Sequence, residues 1–162
     1  MGEIIKVGMA DLKTCKAPDG LITLGLGSCV GIAIRDPLTK IGGLAHIMLP
    51  DSKAIMNNNG VKEKFADTGI EELVQQMVQL GANRNRLVAK IAGGATMFQL
   101  QGRSDIMKIG ERNIQASINK LNEMDIVLIA QDVGDNYGRT VTFYPENGEF
   151  HIRAIGRDNK II

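Results

Sequence analysis

Short β-type runs alternate with two longer helical patterns along the chain, and no linker, low-complexity tract or solenoid-length repeat separates them. Apolar and β-branched clusters bounded by turn residues predict strands near residues 4–9, 21–24, 30–35, 41–48, 86–92, 126–131, 139–144 and 150–155. A helix is predicted over 68–80, where Ile70, Leu73, Val74 and Met77 recur on one face, Thr68 and Glu71 have capping-box spacing, and Gly81 follows as a stop. A second helix is predicted from Ser104 or Asp105 to about Met124, with Ile114, Ile118 and Leu121 at helical spacing. Both helices are expected to cover a sheet.

Turn chemistry links several of these strands. Pro145-Glu146-Asn147-Gly148-Glu149 lies between two β-rich runs, and Asn-Gly tolerates positive φ, which predicts a hairpin. Asp36-Pro37-Leu38-Thr39 has the residues of a type I turn and predicts another. If Asp36 faces Thr39, the register places His46 directly opposite Cys29; a bulge at the turn would shift it by one residue or more. The expected fold is α+β: mixed, largely antiparallel β-sheets packed as a sandwich, with two or three helices on the outside, in a single domain spanning residues 1–162.

Composition narrows the function classes. The chain has 162 residues, a size that one hydrophobic core can organise, and 44% of them are hydrophobic. The formal net charge is +1, from 19 Lys plus Arg against 18 Asp plus Glu. With the cations scattered, aromatics at 4% and no Trp, neither a phosphate-binding stripe nor a base-stacking platform is expected, which argues against nucleic-acid binding. No apolar run nears the roughly 20 residues that cross a bilayer, and no leader pattern opens the chain. The sequence therefore reads as cytoplasmic, without membrane insertion, and in a reducing cytosol Cys15 and Cys29 are expected as free thiols.

The most unusual stretch is Leu24-Gly25-Leu26-Gly27-Ser28-Cys29-Val30-Gly31, a cysteine among glycines just before an apolar strand. Glycines let backbone N–H groups approach a ligand, so such a loop can hold an oxyanion beside a thiol; equally, Cys29 can be a small buried hydrophobe in a tight turn. The predicted hairpin brings His46 near Cys29, and an imidazole within reach of a thiol can take its proton for acyl transfer. His151 has no such partner and reads as structural. The loop lacks the Lys and hydroxyl residue of a P-loop and the spacing of a dinucleotide fingerprint. Cys15, Cys29, His46 and His151 lack the close spacing of a zinc site. Asp51, Asp132 and Asp135 are either turn residues or an acid that orients His46, and Gly93-Gly94-Ala95 either ends a strand or forms a second wall of a cleft.

Thr23-Leu24-Gly25-Leu26-Gly27-Ser28-Cys29-Val30-Gly31 and Gly42-Gly43-Leu44-Ala45-His46-Ile47-Met48-Leu49-Pro50 together resemble the signature of the CheD family of chemoreceptor glutamine deamidases. Further matches are Lys90-Ile91-Ala92-Gly93-Gly94-Ala95-Thr96-Met97-Phe98, Ile109-Gly110-Glu111-Arg112-Asn113, and Asp132-Val133-Gly134 with Gly138-Arg139, so the resemblance covers nearly the whole chain. It implies Cys29 as nucleophile, His46 as base and Thr23 as the third member of a triad, with backbone N–H groups around Ser28 and Cys29 as oxyanion donors and no cofactor. Thr23 enters on the resemblance alone. The implied substrates are glutamines on cytoplasmic helices of chemoreceptors, with methyl-glutamate esters hydrolysed by the same steps, and the implied partner is the phosphatase CheC. Asp135 stands where the family pattern has a further glycine.

Overall fold

The computed structural model describes residues 2–54, 61–97 and 108–162. Among the described residues, ten strands fall into two five-stranded sheets. The first takes β1 (Ile4–Val7), β3 (Gly20–Leu26), β8 (Arg139–Tyr144), β9 (Glu149–Arg153) and β10 (Lys160–Ile161), in that spatial order. The second runs β2 (Asp11–Lys16), β5 (Ile41–Ile47), β4 (Val30–Asp36), β6 (Val88–Gly93) and β7 (Val127–Val133). Each sheet is antiparallel except for one parallel pair, β1 with β3 and β6 with β7. Two helices, α1 (Ala66–Leu80) and α2 (Ile109–Glu123), pack on the second sheet, giving the predicted α+β sandwich with helices on one outer face.

Strand alternation assigns the faces. On β4 and β5, Val30, Ile32, Ile34, Ile41, Ala45 and Ile47 join Ile70, Leu73 and Met77 of α1 in a helix-side core. Ala33 and Leu44 point the other way and meet Leu21, Leu26, Val141 and Phe143 between the sheets. Cys29 belongs to this inter-sheet core.

β3 departs from simple alternation where it matters most. Thr23 and Leu26 are both fully buried although three positions apart, because the register against β8 shifts between them and Gly25 adopts φ of 72°. A bulge of this kind rephases the strand, and a residue with a Cβ would be strained at that φ. The chain then crosses from the first sheet to the second through Gly27, Ser28 and Cys29.

Several local expectations change. The β4–β5 connection is a four-residue loop, with Asp36 paired to Ile41 and Lys40 in the left-handed region at φ 57°. Asp36 spends its carboxylate on Leu38 N–H, Asn83 N–H and the Nε–Nη2 edge of the Arg86 guanidinium, which favours the wider loop over a two-residue turn. His46 accordingly sits opposite Gly31, and Cys29 lies just beyond the last pair, Val30 with Ile47. β2 and β10 were not predicted. Helix α1 starts before Thr68, with Phe65 at its N-cap; the Thr68 hydroxyl donates to Lys62 O at 2.7 Å and Glu71 pairs with Lys120, so the capping box does not form. The Gly81 stop and the Asn147-Gly148 hairpin form as predicted. The predicted start of the second helix, at Ser104 or Asp105, lies outside the described residues.

Candidate active site

Thr23 from the first sheet and His46 from the second meet between the layers. The Thr23 Oγ1 to His46 Nδ1 distance is 2.7 Å, and both residues are fully buried. The Thr23 hydroxyl also donates to Val7 O at 2.8 Å, across the parallel β1–β3 pair. A hydroxyl has one hydrogen to give, so at the imidazole it must accept. Nδ1 therefore carries the ring proton, and Nε2 presents a bare lone pair. Among the described residues Nε2 has no hydrogen-bond partner, Cys29 included. A buried acceptor left open costs about 1–3 kcal/mol, the kind of expense seen at sites kept ready for chemistry.

Cys29 and Gly31 alternate onto the same face of the chain, and Gly31 pairs with His46, so the thiol and the imidazole are diagonal neighbours on the inter-sheet side. Cys29 is 8% exposed. Burial pushes its thiol above the ordinary value while its own backbone N–H pulls it down, and burial holds the His46 ring below its usual value. Both influences favour a resting pair of neutral thiol and neutral imidazole over a preformed ion pair.

The cysteine loop is held by backbone bonds from the end of β6. Gly94 N donates to Cys29 O and Ala95 N donates to Gly27 O, each at 2.8 Å. Gly93 has φ of 108° and packs so closely that a Cβ there would stand 2.3 Å from Cys29 O. Of the two readings open for Gly93-Gly94-Ala95, the strand end holds, since β6 stops at Gly93, and the three residues form a buried wall behind the cysteine loop rather than one side of an open cleft. Helix α2 adds a further anchor that sequence reasoning missed: Asn113 Nδ2 donates to Ser28 O and to Met48 O, both at 2.9 Å. Its signal was the i, i+3 spacing of Gly110 and Asn113 and the i, i+4 steps to Ser117 and Leu121, all buried.

Other candidates lie elsewhere. Asp132 binds Arg139 and Lys160, Asp51 accepts from Lys53 N, and Asp135 accepts from Thr96 N through its carbonyl, so none of these acids orients His46. Asp135, in the place of the family's glycine, sits at φ 59°, the left-handed region where glycine carries no penalty. Cys15 is a free thiol bonded to Asp19 O and is pushed up to about 12 by burial and the Asp19 charge. His151 pairs with Glu149 at 3.1 Å. No group of three or more His, Cys, Asp and Glu side chains converges among the described residues. An open groove of about 520 Å³ is lined by Gly25 of β3, Met97, Tyr137, Arg153 and Ile155, and its lining includes none of Thr23, Cys29 and His46.

The geometry can be set beside known proteins. The family model described as CheD chemotactic sensory transduction matches residues 48–154, a span that begins just after His46. Full-length relatives cover the rest. A protein named probable chemoreceptor glutamine deamidase CheD from Lachnoclostridium phytofermentans is 55% identical over 162 residues, all of both chains. Proteins of the same name from Caldanaerobacter subterraneus and Syntrophomonas wolfei are 52% identical over 160 residues (99% of this chain, 98% of the relative) and 51% identical over 162 residues (all of both chains). With matches of this extent, the chain belongs to the CheD family of chemotactic sensory transduction proteins.

Proposed function

We propose that this protein deamidates glutamine side chains of chemoreceptors, with Cys29 as nucleophile, His46 as base and Thr23 as the residue that orients the base. One observation carries the assignment of roles: the Thr23 hydroxyl, committed to Val7 O, puts the imidazole proton on Nδ1 and leaves Nε2 without a partner among the described residues, two ladder positions from Cys29. The relatives' printed name supplies the substrate.

In this reading His46 Nε2 takes the Cys29 S–H proton as the sulfur attacks the carboxamide carbon. The sulfur is not yet hydrogen-bonded to Nε2, and catalytic hydrogen bonds often tighten only with substrate in place. Backbone N–H groups at Ser28 and Cys29 receive the negative charge on the tetrahedral oxygen, each worth about 3 kcal/mol. Protonated His46 returns its proton to the departing ammonia, leaving a thioester; water activated by the same nitrogen then releases glutamate and the thiol. A methyl-glutamate ester follows the same path with methanol leaving. The mechanism calls on no cofactor. The groove beside Gly25 is open enough to suit a segment of another protein, which supports a receptor helix as substrate.

The test is incubation with a purified receptor cytoplasmic fragment, read by mass spectrometry as a gain of about 1 Da per event. Wild type is expected to produce the gain, Cys29→Ala and His46→Ala to abolish it, and Thr23→Ala to reduce it less. Identical spectra from wild type and Cys29→Ala, with no gain in either, would sink the assignment. Binding to CheC is a separate part of the proposal: Cys29→Ala should keep it, and its loss in that variant would point to a shared surface.

A further inference from the structure

The β4–β5 ladder ends one step short of the thiol. Its last pair is Val30 with Ile47, and the next positions, Cys29 and Met48, have no ladder bond to hold them together. Across this open end lies the carboxamide of Asn113, fully buried in the first turns of α2. Both of its N–H bonds are in use, one to Ser28 O and one to Met48 O, while its Oδ1 has no partner among the described residues. The side chain thus serves as a donor only.

We infer that Asn113 is a positioning residue, holding the Ser28 and Met48 carbonyls so that the Cys29 N–H and the β5 segment carrying His46 keep one geometry. The inference rests on the reading of Cys29 and His46 as nucleophile and base. Its physical core is the planar trans peptide, in which C=O and N–H point in opposite directions. Fixing Ser28 O against the helix turns the Cys29 N–H away from it, and this N–H is the group that draws the thiol down against the effect of burial. The same N–H is a candidate donor to the oxyanion. On the other arm, Met48 lies two positions after His46, so one carboxamide sets the spacing of both reacting segments. Gly110, one turn earlier, fits against Ala95 O with no room for a Cβ, which seats the helix on the wall that also binds the cysteine loop.

The experiment compares wild type with Asn113→Ala, Asn113→Leu and Ser117→Ala. Leucine keeps the branched shape and removes the donor; Ser117, whose hydroxyl bonds back to Asn113 O, reports general softening of α2. Deamidation kinetics on the receptor fragment give kcat and KM, and iodoacetamide labelling against pH, read by mass on the Cys29 peptide, gives the thiol profile without any receptor. Both Asn113 variants are expected to lose about 30-fold or more in kcat with KM within about threefold, and to shift the labelling midpoint upward. Ser117→Ala is expected to match wild type in both. A folded Asn113 variant with wild-type kcat and labelling would overturn the inference, as would an equal defect in Ser117→Ala or the failure of both Asn113 variants to fold. Should wild type itself leave the receptor unchanged, the functional proposal fails, and the labelling comparison still decides the role of Asn113.

Discussion

At His46, a carbonyl one sheet away decides which ring nitrogen carries the proton. Val7 O takes the only hydrogen of the Thr23 hydroxyl, and the imidazole must supply the other. At neutral pH the ring 15N shifts of His46 are therefore expected to show Nδ1 protonated and Nε2 bare; the opposite pattern would contradict the assignment. The pH dependence follows from the same environment. Activity needs a neutral imidazole, whose affinity for protons burial has lowered, so kcat/KM should fall on the acid side with a midpoint below 6.5. On the alkaline side, burial raises the thiol above its ordinary value, so the plateau should extend into the alkaline range. Cys29 and His46 stood out in the sequence as candidates because a glycine-ringed thiol and a hairpin leave local signs. Thr23 was legible only through the family resemblance, and Asn113 not at all as a functional residue. Both act through bonds to other segments, 16 positions away for Thr23 with Val7 and 85 for Asn113 with Ser28, and nothing in a local pattern encodes such pairings.

Among the elements, the β4–β5 hairpin shows how one side chain sets a register. Asp36 is fully buried and holds two backbone N–H groups and the Arg86 fork, so the loop closes at Lys40. The turn residues announced a hairpin, but its length depended on partners at Asn83 and Arg86 that sequence proximity does not reveal. The Arg86 guanidinium holds the Asp36 carboxyl well below the ordinary value of 3.8. Because the folded value is the lower one, the stabilisation is complete above the ordinary carboxylate range and is lost as pH falls toward the folded value. Asp36→Asn should cost about 2 kcal/mol in urea unfolding at pH 7, with a smaller difference from wild type as the pH falls below about 4. A constant difference down to pH 2 would contradict this account. β2 was overlooked because its buried positions, Leu12 and Cys15, are three apart, and β10 because it has only two residues.

For the molecule as a whole, the second sheet divides labour between its two faces. Its outer face carries α1 and α2 and most of the large aliphatic core; its inner face carries His46, which meets Thr23 of the first sheet between the layers. Leu73, fully buried and in close approach to Gly43, belongs to the helix side. Leu73→Ala is expected to lower unfolding stability by about 3 kcal/mol while leaving kcat near the wild-type value well below the melting temperature. Thermal melts and receptor deamidation at low temperature check both halves, and a large kcat loss in a fully folded sample would show that the two faces are coupled. The layered α+β architecture was readable from strand count, turn residues and helix periodicity, since each follows from local pattern. Beyond the two hairpins, β4–β5 and β8–β9, which strands neighbour which was not, because β1 and β8 flank β3 through pairings distant in sequence.

β1 is a four-residue strand at the edge of its sheet, and its last carbonyl is the acceptor on which the orientation of Thr23 depends. Peeling this short ribbon away would free the threonine hydrogen to turn toward the ring, and the imidazole would then carry its own hydrogen on the far nitrogen. The reaction would fall silent with sulfur, ring and loop all still in place.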